Sequence, residues 1–315
     1  MPKPLVSVCV PCHNAGPYVA QALKSLFEQT YRDFEVIVVN DASTDTTAEI
    51  LDTFKDPRLT VINQKCGSAS KARNLAFANS KGVFIKFFDA DDIISPGMIE
   101  KQVARIEHSE RSIATCEWGR FQKKNLSSYT PNRQSVWRDM SSKEWLIESF
   151  RDARPMMQPG VFLIPRNLIE EVGPWSERLS PIDDFGFFSR LLSAANEIKF
   201  CDGQTFYYRS GLGNKLAGEQ TREAVQGTLD SLLSGTACLL DKKSTKPAQM
   251  ACANLLQDFI FTQYPDHEDL RKIAAERIKE LGGSSIEPDG PPQFHHLRRF
   301  FGWKLARRIQ RLLSK

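Results

Sequence analysis

Three carboxylates follow directly behind a strongly apolar segment of this 315-residue chain. The segment Val83–Phe88 has the pattern of a buried strand, and Asp89-Ala90-Asp91-Asp92 comes immediately after it. In an open α/β sheet, ligands bind at the carboxyl ends of the strands. An Asp-x-Asp spacing at that place lets two carboxylates reach one hard cation, which prefers oxygen ligands. We therefore expect metal-dependent chemistry on a substrate that carries a diphosphate.

A second explanation for these carboxylates is structural. Ser95 and Pro96 form a good helix start, with Ser95 as the N-cap and Pro96 at the first helical position. Asp91 and Asp92 precede that start and carry the charge that the positive end of a helix attracts. The local sequence does not decide between a ligand site and a helix start, so the rest of the chain has to.

Asp41 occupies the corresponding place behind another apolar segment. Phe34–Val39 has the pattern of a buried strand, and Asn40-Asp41 follows it. A carboxylate at this edge can accept the imide N–H of a uracil-like base, and such a directional bond discriminates among bases. The pair Asn40-Asp41 also suits a turn, and we interpret Asp45 as the cap of the next helix.

Apolar segments alternate with helical patterns through about the first hundred residues. The predicted strands are Leu5–Val10, Phe34–Val39, Leu59–Ile62 and Val83–Phe88. The predicted helices are Tyr18–Gln29, 48–54, Ser70–Asn79 and Pro96–Ile106. Near-continuous apolar strands separated by helices form a parallel sheet covered on both faces, so the expected fold class is α/β.

The pattern is less regular in the middle of the chain. A strand-like stretch runs from Ile113 to about Tyr129, and a capping box at Ser141–Glu144 opens a short helix. A helix over Phe185–Ala195 then precedes a last strand at Phe206–Tyr208. After Gly211 the character becomes helical, and the predicted helices are 219–240, 247–261 and 268–281.

Composition excludes several classes of protein. The 41% hydrophobic and 25% charged residues are ordinary for a soluble globular protein, and the net charge of +4 gives no indication of a nucleic-acid partner. The N-terminus lacks the pattern of a signal peptide, and no stretch approaches the roughly 18 to 20 apolar residues of a spanning helix. Seven irregularly spaced cysteines argue against a secreted disulfide framework, so we expect a cytosolic protein. We interpret Cys9 and Cys12 as core residues, because zinc would need a second ligand pair.

Five fragments occur in the order and spacing seen in glycosyltransferase family 2. The fragments are Val6–Asn14, Gln29–Tyr31, Glu35–Asp45, Ala72–Asn74 and Phe88–Asp92. The chain resembles the family from about Leu5 to Gly97, and more loosely as far as Tyr208. The resemblance implies an inverting enzyme with the GT-A fold, a Rossmann-like and mostly parallel sheet with helices on both faces.

The resemblance also implies a set of nucleotide-binding residues. Pro11 and the loop to Asn14 match the segment that packs against the nucleoside. Asp41 matches the residue that pairs with the base, and Arg73 matches the basic residue near the nucleotide. Asn40 departs from the pattern, because the family often has a first Asp at this position.

Metal and base positions follow from the same resemblance. Asp89 resembles the nucleotide-side acid of the D-x-D motif, and Asp91 resembles its ligand for Mn²⁺ or Mg²⁺. Asp184 is the implied general base, and Asp183 stands where Glu is usual. Adjacent carboxylates can raise one another's proton affinity, which suits a base that works near neutral pH. The alternative is that Asp183 or Asp184 only caps the helix Phe185–Ala195.

Two cations and two aromatic residues are weaker candidates. Arg209 and Lys215 follow the last predicted strand and could offset the charge of a diphosphate, Arg209 by a bidentate fork. Trp175 and Phe185 could form a platform for the acceptor. Each has an ordinary alternative, because surface cations and core aromatic residues are common.

The C-terminal segment has a distinct character. Residues 294–315 contain no acidic residue, and Leu297, Phe301, Leu305, Ile309 and Leu312 recur at helical spacing. A basic amphipathic helix of this kind can lie on an anionic membrane surface, which would suit a lipid-linked acceptor and a peripheral position on the inner face of the membrane. The alternative is a helix docked on the catalytic domain.

Together these features predict a domain order and a function. We expect a catalytic domain over 1–215, with its nucleotide-sugar half to about residue 110 and its acceptor half over 111–215. A helical extension over 216–281, a linker over 282–293 and the basic helix over 294–315 follow. The expected function is transfer of a sugar from a nucleoside diphosphate sugar, with UDP preferred, to a glycan or lipid-linked hydroxyl in cell-surface polysaccharide, lipopolysaccharide or other glycan synthesis.

Two alternatives to this function remain open at this point. The first is a non-catalytic module on the same fold that binds a sugar nucleotide or a glycan. The second is a haloacid-dehalogenase-like phosphatase, which also uses Asp-x-Asp after a strand. That enzyme would have the motif near the N-terminus with Thr or Val behind it, whereas Ile93 follows Asp92 here.

Overall fold

Residues 5–178, 181–212, 221–240 and 244–313 are described by the computed structural model of the chain. The strands among them are β1 (Val6–Cys12), β2 (Phe34–Asn40), β3 (Leu59–Asn63), β4 (Phe84–Phe87), β5 (Ile93–Ile94), β6 (Ser112–Gln122), β7 (Asn125–Pro131), β8 (Met140–Ser141), β9 (Ile164–Pro165) and β10 (Glu197–Ser210). The helices are α1 (Val19–Phe27), α2 (Thr47–Thr53), α3 (Ala69–Ala78), α4 (Met98–Ile106), α5 (Ser142–Phe150), α6 (Arg166–Val172), α7 (Asp183–Ala194), α8 (Arg222–Leu239), α9 (Lys246–Gln263), α10 (Glu268–Glu280) and α11 (Pro292–Leu313).

The first sheet has the order β3-β2-β1-β4-β9. β1 to β4 run parallel, with Val6 opposite Phe34 on one side and Phe84 on the other, whereas β9 is antiparallel to β4. β1, β2 and β4 are buried almost throughout, as strands covered on both faces are expected to be. The predicted α/β class and the mostly parallel sheet are therefore confirmed.

The second sheet was only partly predicted. Its order is β5-β10-β6-β7, and β8 also pairs with β10. The irregular stretch over Ile113–Tyr129 is a hairpin of β6 and β7, which turns at Lys123 with a positive φ of 50°. β10 has 14 residues and runs parallel to β6, so it is much longer than the predicted strand Phe206–Tyr208. The pair Asp202-Gly203 in its middle has the composition of a turn, and the register with β6 shifts between Cys201 and Thr205, so the strand pattern is broken there.

The helical extension packs directly on the sheet domain. α8 lies against α7, α9 lies against α5 and α8, and α10 lies against α9. Thr221 and Thr245 cap α8 and α9 by accepting hydrogen bonds from the N–H groups of Ala224 and Ala248. Of the predicted capping box, the N-cap bond is present, because the Ser141 side chain accepts from the Glu144 N–H at 3.2 Å, whereas the Glu144 carboxylate accepts from Arg138.

The basic C-terminal segment forms α11 but not one continuous helix. Gly302 has φ 71° and ψ 162°, which are not helical values, so α11 consists of two helical stretches joined at this residue. The first stretch packs through Phe294 and the second through Ala306, and both residues are buried. None of the helices in the described parts of the chain is long and apolar enough to cross a membrane.

The sheet brings the predicted site to one edge. β1, β2 and β4 end at Cys12, Asn40 and Phe87, and their parallel direction places the loops that follow at the same side of the sheet. All seven cysteines are free, and burial raises the pKa of Cys9 and Cys12 to about 12, which supports their interpretation as unreactive core residues.

Candidate active site

Asp41 lies at the carboxyl end of β2 with its carboxylate already oriented. The backbone N–H groups of Cys66 and Gly67 donate to its two oxygens at 2.5 to 3.0 Å. Gly67 has φ 76°, and this left-handed backbone lets two successive N–H groups point at one carboxylate. Asp41 is 8% exposed, so the residue is buried but not completely closed off from solvent. No sequence pattern pointed to these N–H donors.

Asn14 joins the loops that follow β1 and β2. It has a positive φ of 49°, its N–H donates to the Ser43 hydroxyl at 3.0 Å, and its side-chain oxygen accepts from the Thr44 N–H at 2.8 Å. Pro11 pairs with Val39 inside the sheet. Asn40 donates its side-chain N–H to Asn63 at 2.8 Å, so at this position the chain has a structural hydrogen bond to β3. Asn14 therefore fixes the shape of the edge beside Asp41.

The D-x-D loop follows β4 at the same edge. Asp89 accepts a hydrogen bond from Arg73 at 2.8 Å, and Asp91 is partly exposed. Asp92 is fully buried, and one of its oxygens accepts from the Arg209 N–H at 2.7 Å. Burial, together with the charges of Asp91 and Asp89, raises the pKa of Asp92 well above its usual range. The loop therefore presents Asp89 and Asp91 outward and keeps Asp92 beneath them.

Arg73 connects this loop to the second half of the chain. It lies on α3, with one terminal nitrogen on Asp89 at 2.8 Å and the other on Asp183 at 3.2 Å. Burial alone would lower the pKa of Arg73, and the charges of Asp89 and Asp183 raise it above the usual value. The predicted nucleotide-side cation and the predicted base segment are therefore parts of one ionic network.

Two further α3 residues hold the base segment, and sequence reasoning did not single out either of them. The Ser70 hydroxyl donates to the Asp183 carboxylate. Asn74 makes a paired contact with the backbone of Trp175, accepting from its N–H at 2.9 Å and donating to its carbonyl at 3.0 Å. Because residues 70, 73 and 74 are three and four positions apart, they lie on one face of the helix.

Asp183 and Asp184 begin α7. Asp183 accepts from the N–H of Asp184 at 2.9 Å, and Asp184 accepts from the N–H of Phe185 at 2.8 Å. Burial raises the pKa of Asp184 to about 7, and the charge of Asp183 contributes in the same direction. The helix-start interpretation is corrected, because α7 begins at Asp183 with Ile182 as its N-cap residue, so both carboxylates belong to the first turn and neither is the cap. Asp183 is in contact with Arg73, and the charges of Asp184 and Arg73 influence each other's pKa.

Trp175 is a core residue and not an exposed platform. It is 2% exposed, its ring stacks on Phe187 at 4.1 Å between centroids, and it meets Phe87 edge-on at 5.2 Å. The Arg73 guanidinium lies over the same ring at 4.5 Å. The acceptor-platform interpretation of Trp175 is corrected, since packing against three neighbours leaves no face for a sugar. Phe185 is buried as well.

Arg209 is also buried, at 0% exposure, which does not fit a surface contact with a diphosphate. Its guanidinium donates to the backbone carbonyl of Asp91, to the carbonyl of Lys123 and to the side chain of Gln21. The buried guanidinium therefore connects the D-x-D loop, the β6–β7 turn and α1. Lys215, the other candidate cation, lies outside the described residues.

The carboxylates suit a divalent cation that takes some of its ligands from the protein and the others from a substrate. Over residues 5–313, apart from the three undescribed gaps, no three or more His, Cys, Asp and Glu side chains form a group that could hold a metal. The chain offers hard oxygen donors from Asp91 and Asp89, and Asp92 has a buried oxygen without a hydrogen-bond partner. Mg²⁺ is usually bound by one or two carboxylates, with phosphate oxygens and water as its other ligands. The residues present fit such a cation.

Comparison with known proteins agrees with this geometry. The sequence pattern of Glycosyl transferase family 2 matches residues 7–173, which is more than half of the chain, and the chain therefore belongs to this family. Glycosyltransferase GlyG of Streptococcus pneumoniae serotype 4 is 25% identical over 283 residues, covering 85% of this chain and 93% of that protein. The family and this relative support glycosyltransferase activity.

Solved structures agree with the fold. S. aureus TarS 1-349, in complex with UDP-GlcNAc, superposes with a TM-score of 0.70 at 17% identity, covering 98% of this chain and 91% of that chain. The mannosyltransferase PcManGT from Pyrobaculum calidifontis, in complex with GDP-Man and Mn²⁺, has a TM-score of 0.57 at 16% identity, covering 99% of this chain and 88% of that chain. The predicted GT-A fold with C-terminal helices is confirmed.

Proposed function

We propose that this protein is an inverting glycosyltransferase that moves a sugar from a nucleoside diphosphate sugar, a UDP-sugar by preference, to an acceptor hydroxyl. The observation that carries the proposal is the Arg73 bridge, which contacts Asp89 at 2.8 Å and Asp183 at 3.2 Å. The bridge brings the donor motif and the base segment of a family 2 enzyme to one edge of the sheet. A module that only bound a ligand would not need Asp184, whose pKa is about 7, in that network.

The donor base is assigned to Asp41. Its carboxylate is held by the N–H groups of Cys66 and Gly67, so it is oriented before any ligand arrives. An oriented carboxylate accepts an imide N–H without losing side-chain freedom at binding, which favours uracil over bases that present only acceptors there. The UDP-GlcNAc complex of TarS supports the choice of a UDP-sugar. Pro11 and Asn14 line the nucleoside side of this site.

The diphosphate is assigned to the D-x-D loop. Asp91, with Asp89 beside it, would hold Mn²⁺ or Mg²⁺, and the Mn²⁺ complex of PcManGT supports a divalent cation. When bound, the cation supplies charge stabilisation for the departing nucleoside diphosphate. Arg73 adds a fixed positive charge next to Asp89. Arg73 thus orients the Asp89 carboxylate before a cation or a diphosphate binds.

Asp184 is assigned as the general base. A carboxyl with a pKa of about 7 is substantially ionised at neutral pH and still basic enough to take a proton from an acceptor hydroxyl. Removal of that proton on the face of the sugar opposite the leaving group gives single displacement with inversion. Asp183 is a positioning residue, because Ser70 and Arg73 bind its carboxylate and its backbone leads directly into Asp184.

We assign the acceptor to the glycan class. A glycan or lipid-linked hydroxyl in cell-surface polysaccharide, lipopolysaccharide or other glycan synthesis fits a cytoplasmic enzyme that uses a nucleotide sugar. A non-catalytic binding module is the second candidate, and it is favoured only if Asp184 proves dispensable.

A thermal-shift series tests the donor assignment. The protein is heated with UDP, GDP, CDP or dTDP, each with and without Mn²⁺. A ligand at about 100 times its dissociation constant adds about 2.7 kcal/mol, which raises the melting temperature by a few degrees. We expect a Mn²⁺-dependent shift with UDP, and no such shift in Asp41→Ala. The absence of a shift with all four nucleotides would overturn the proposal.

A further inference from the structure

One side of α11 is anchored on the helical extension. The Trp303 ring meets Phe261 and Tyr264, each at 5.0 Å between centroids, and Ala306 is fully buried. Arg311 binds the Asp266 carboxylate and donates to the Thr262 carbonyl at 2.7 Å. Small, aromatic and polar groups therefore make the contact between α11 and the helical extension. A polar cleft of about 430 Å³ lies beside this contact, and Asp258 and Arg307 are among the residues that line it.

The opposite side exposes the large apolar residues. Nine large hydrophobic side chains are exposed in the described part of the chain, and five of them lie between residues 300 and 313. These five, which we call the outer face, are Phe300, Phe301, Leu305, Leu312 and Leu313. An amphipathic helix on a globular protein normally turns its apolar stripe to the core, so this orientation is the reverse of the usual one.

Helical spacing places the apolar residues and the docked residues of α11 on different sides of the helix. Leu305, Ile309 and Leu312 are four and three residues apart, so they lie on one side of the second helical stretch. Trp303 and Ala306 lie on the other side, where they contact the extension. The kink at Gly302, with φ 71°, places Phe300 and Phe301 next to the start of this stretch. The apolar side of α11 is thus turned away from the rest of the described chain.

Cations accompany the outer face. The last 26 residues contain seven Lys and Arg residues and no acid. Arg298 and Arg311 pair with Glu287 and Asp266 on the protein. By contrast, Arg299, Lys304 and Arg308 are exposed and have no carboxylate partner among the described residues. Lys304 and Arg308 lie over the rings of Trp303 and Tyr264 at 5.9 and 5.5 Å, and such a contact leaves their charge uncompensated.

We propose that the outer face of α11 docks on an anionic membrane surface. A bilayer with acidic headgroups takes up both features at once, the apolar side chains at the headgroup boundary and the cations at the phosphates. A second copy of the chain would bring two cationic helices together, which is unfavourable. A nucleic acid would leave the apolar side chains exposed to water. The proposal is independent of the transfer reaction, because it rests on the contacts and exposure of α11 and not on the carboxylates of the candidate active site.

Vesicle binding by the full chain tests the proposal. Cosedimentation is measured with vesicles of phosphatidylcholine alone and of phosphatidylcholine mixed with an equal part of phosphatidylglycerol. We expect binding to the anionic vesicles at least about tenfold stronger than to the neutral ones, and weaker at high salt. Equal binding to both, or no binding to either, would overturn the proposal.

Variants locate the surface. The triple change Arg299→Glu, Lys304→Glu, Arg308→Glu and the double change Leu305→Ser, Leu312→Ser should each lower binding to anionic vesicles by about tenfold or more. The matched control is Ile273→Ser, since Ile273 on α10 is 44% exposed, the same as Leu305. Circular dichroism verifies that all variants remain folded. Wild-type binding by either test variant contradicts the proposal, and so does a dimer in sedimentation velocity that Leu305→Ser dissociates.

Discussion

A guanidinium nitrogen of Arg73 lies 3.2 Å from the carboxylate of Asp183, although 110 residues separate the two positions in the chain. The other terminal nitrogen of the same guanidinium lies on Asp89. One side chain on α3 thus connects the proposed donor motif to the proposed base segment. The planar fork of arginine suits this role, because it offers several donors in a fixed geometry.

The first prediction concerns Arg73→Lys. A lysine ammonium is a compact charge on a flexible stem, so it cannot hold Asp89 and Asp183 in the same relative position. We expect kcat to fall by about 100-fold, with a smaller change in the KM for the donor, because positioning of the base is lost more than binding. Steady-state kinetics of sugar transfer measures both constants.

Arg58→Lys is the control for this change. Arg58 also pairs with a carboxylate, that of Asp56 at 2.7 Å, but on a different surface. The control should keep wild-type kinetics. An Arg73→Lys enzyme with unchanged kcat would show that the bridge does not position the base.

The second prediction uses the raised pKa of Asp184. As the base must be ionised, kcat should increase with pH and level off above about pH 7. Asp184→Asn should lower kcat by about 100- to 10,000-fold and remove this dependence. A pH–rate profile of both proteins makes the comparison. Asp183→Glu, which restores the residue usual in the family, should retain more activity than Asp184→Glu.

The free energy of unfolding should change with pH in the direction opposite to kcat. An unfolded Asp ionises near pH 4, and burial raises the pKa of folded Asp184 to about 7. Between these values the folded protein holds a proton that the unfolded chain has lost, so the free energy of unfolding falls as pH rises through this window. Asp184→Asn removes that loss. We therefore expect the variant to melt at a higher temperature than the wild type at pH 8, with the difference vanishing near pH 4, and equal melting temperatures at pH 8 would contradict this.

The sequence predicts the part of the site that depends on local pattern. β1, β2 and β4 are near-continuous apolar runs, and Asn14, Asp41 and Asp89 come within two residues of their ends, so the strand ends and the loops could be predicted together. Parallel pairing then places the loops at one edge without further information. The donor half is therefore the more predictable half.

Contacts between distant segments are not encoded in local spacing. Arg209 resembles an exposed cation in the sequence, and contacts from distant elements bury it, among them the turn at Lys123 and the side chain of Gln21. Trp175 is covered by Phe87 and Phe187, which come from two different elements. Whether a polar or aromatic residue near a site is exposed depends on which elements pack over it, and that is decided by tertiary structure.

The third prediction concerns recognition of the base. In Asp41→Ala the acceptor for an imide N–H is removed, and a hydrogen bond to a charged group is worth about 1.5–3 kcal/mol. We expect UDP affinity to fall by about 10- to 150-fold, measured by isothermal titration calorimetry. Asp52→Asn, at an exposed carboxylate on α2, is the control and should bind UDP as the wild type does. An unchanged UDP affinity in Asp41→Ala would show that the uracil base binds at another part of the sheet edge.

The fourth prediction follows from the burial of Arg209 beneath the D-x-D loop. Its guanidinium donates to the carbonyls of Asp91 and Lys123 and to the side chain of Gln21. The guanidinium carbon also lies 4.4 Å from the centroid of the Phe121 ring. A lysine at this position keeps the charge but cannot reach three acceptors in different directions. Arg209→Lys should therefore lower the free energy of unfolding by about 3 kcal/mol, as expected when a buried charge loses its partners.

The same change should also separate a structural role from a role at the metal. If Arg209 orients Asp91 through its backbone carbonyl, Arg209→Lys should raise the Mn²⁺ concentration needed for half-maximal transfer, by about tenfold, while the KM for the acceptor stays near its wild-type value. Gln21→Leu removes only the contact on α1 and should keep the wild-type Mn²⁺ requirement. An Arg209→Lys enzyme that is less stable but has an unchanged Mn²⁺ requirement would show that the guanidinium supports the fold without orienting Asp91.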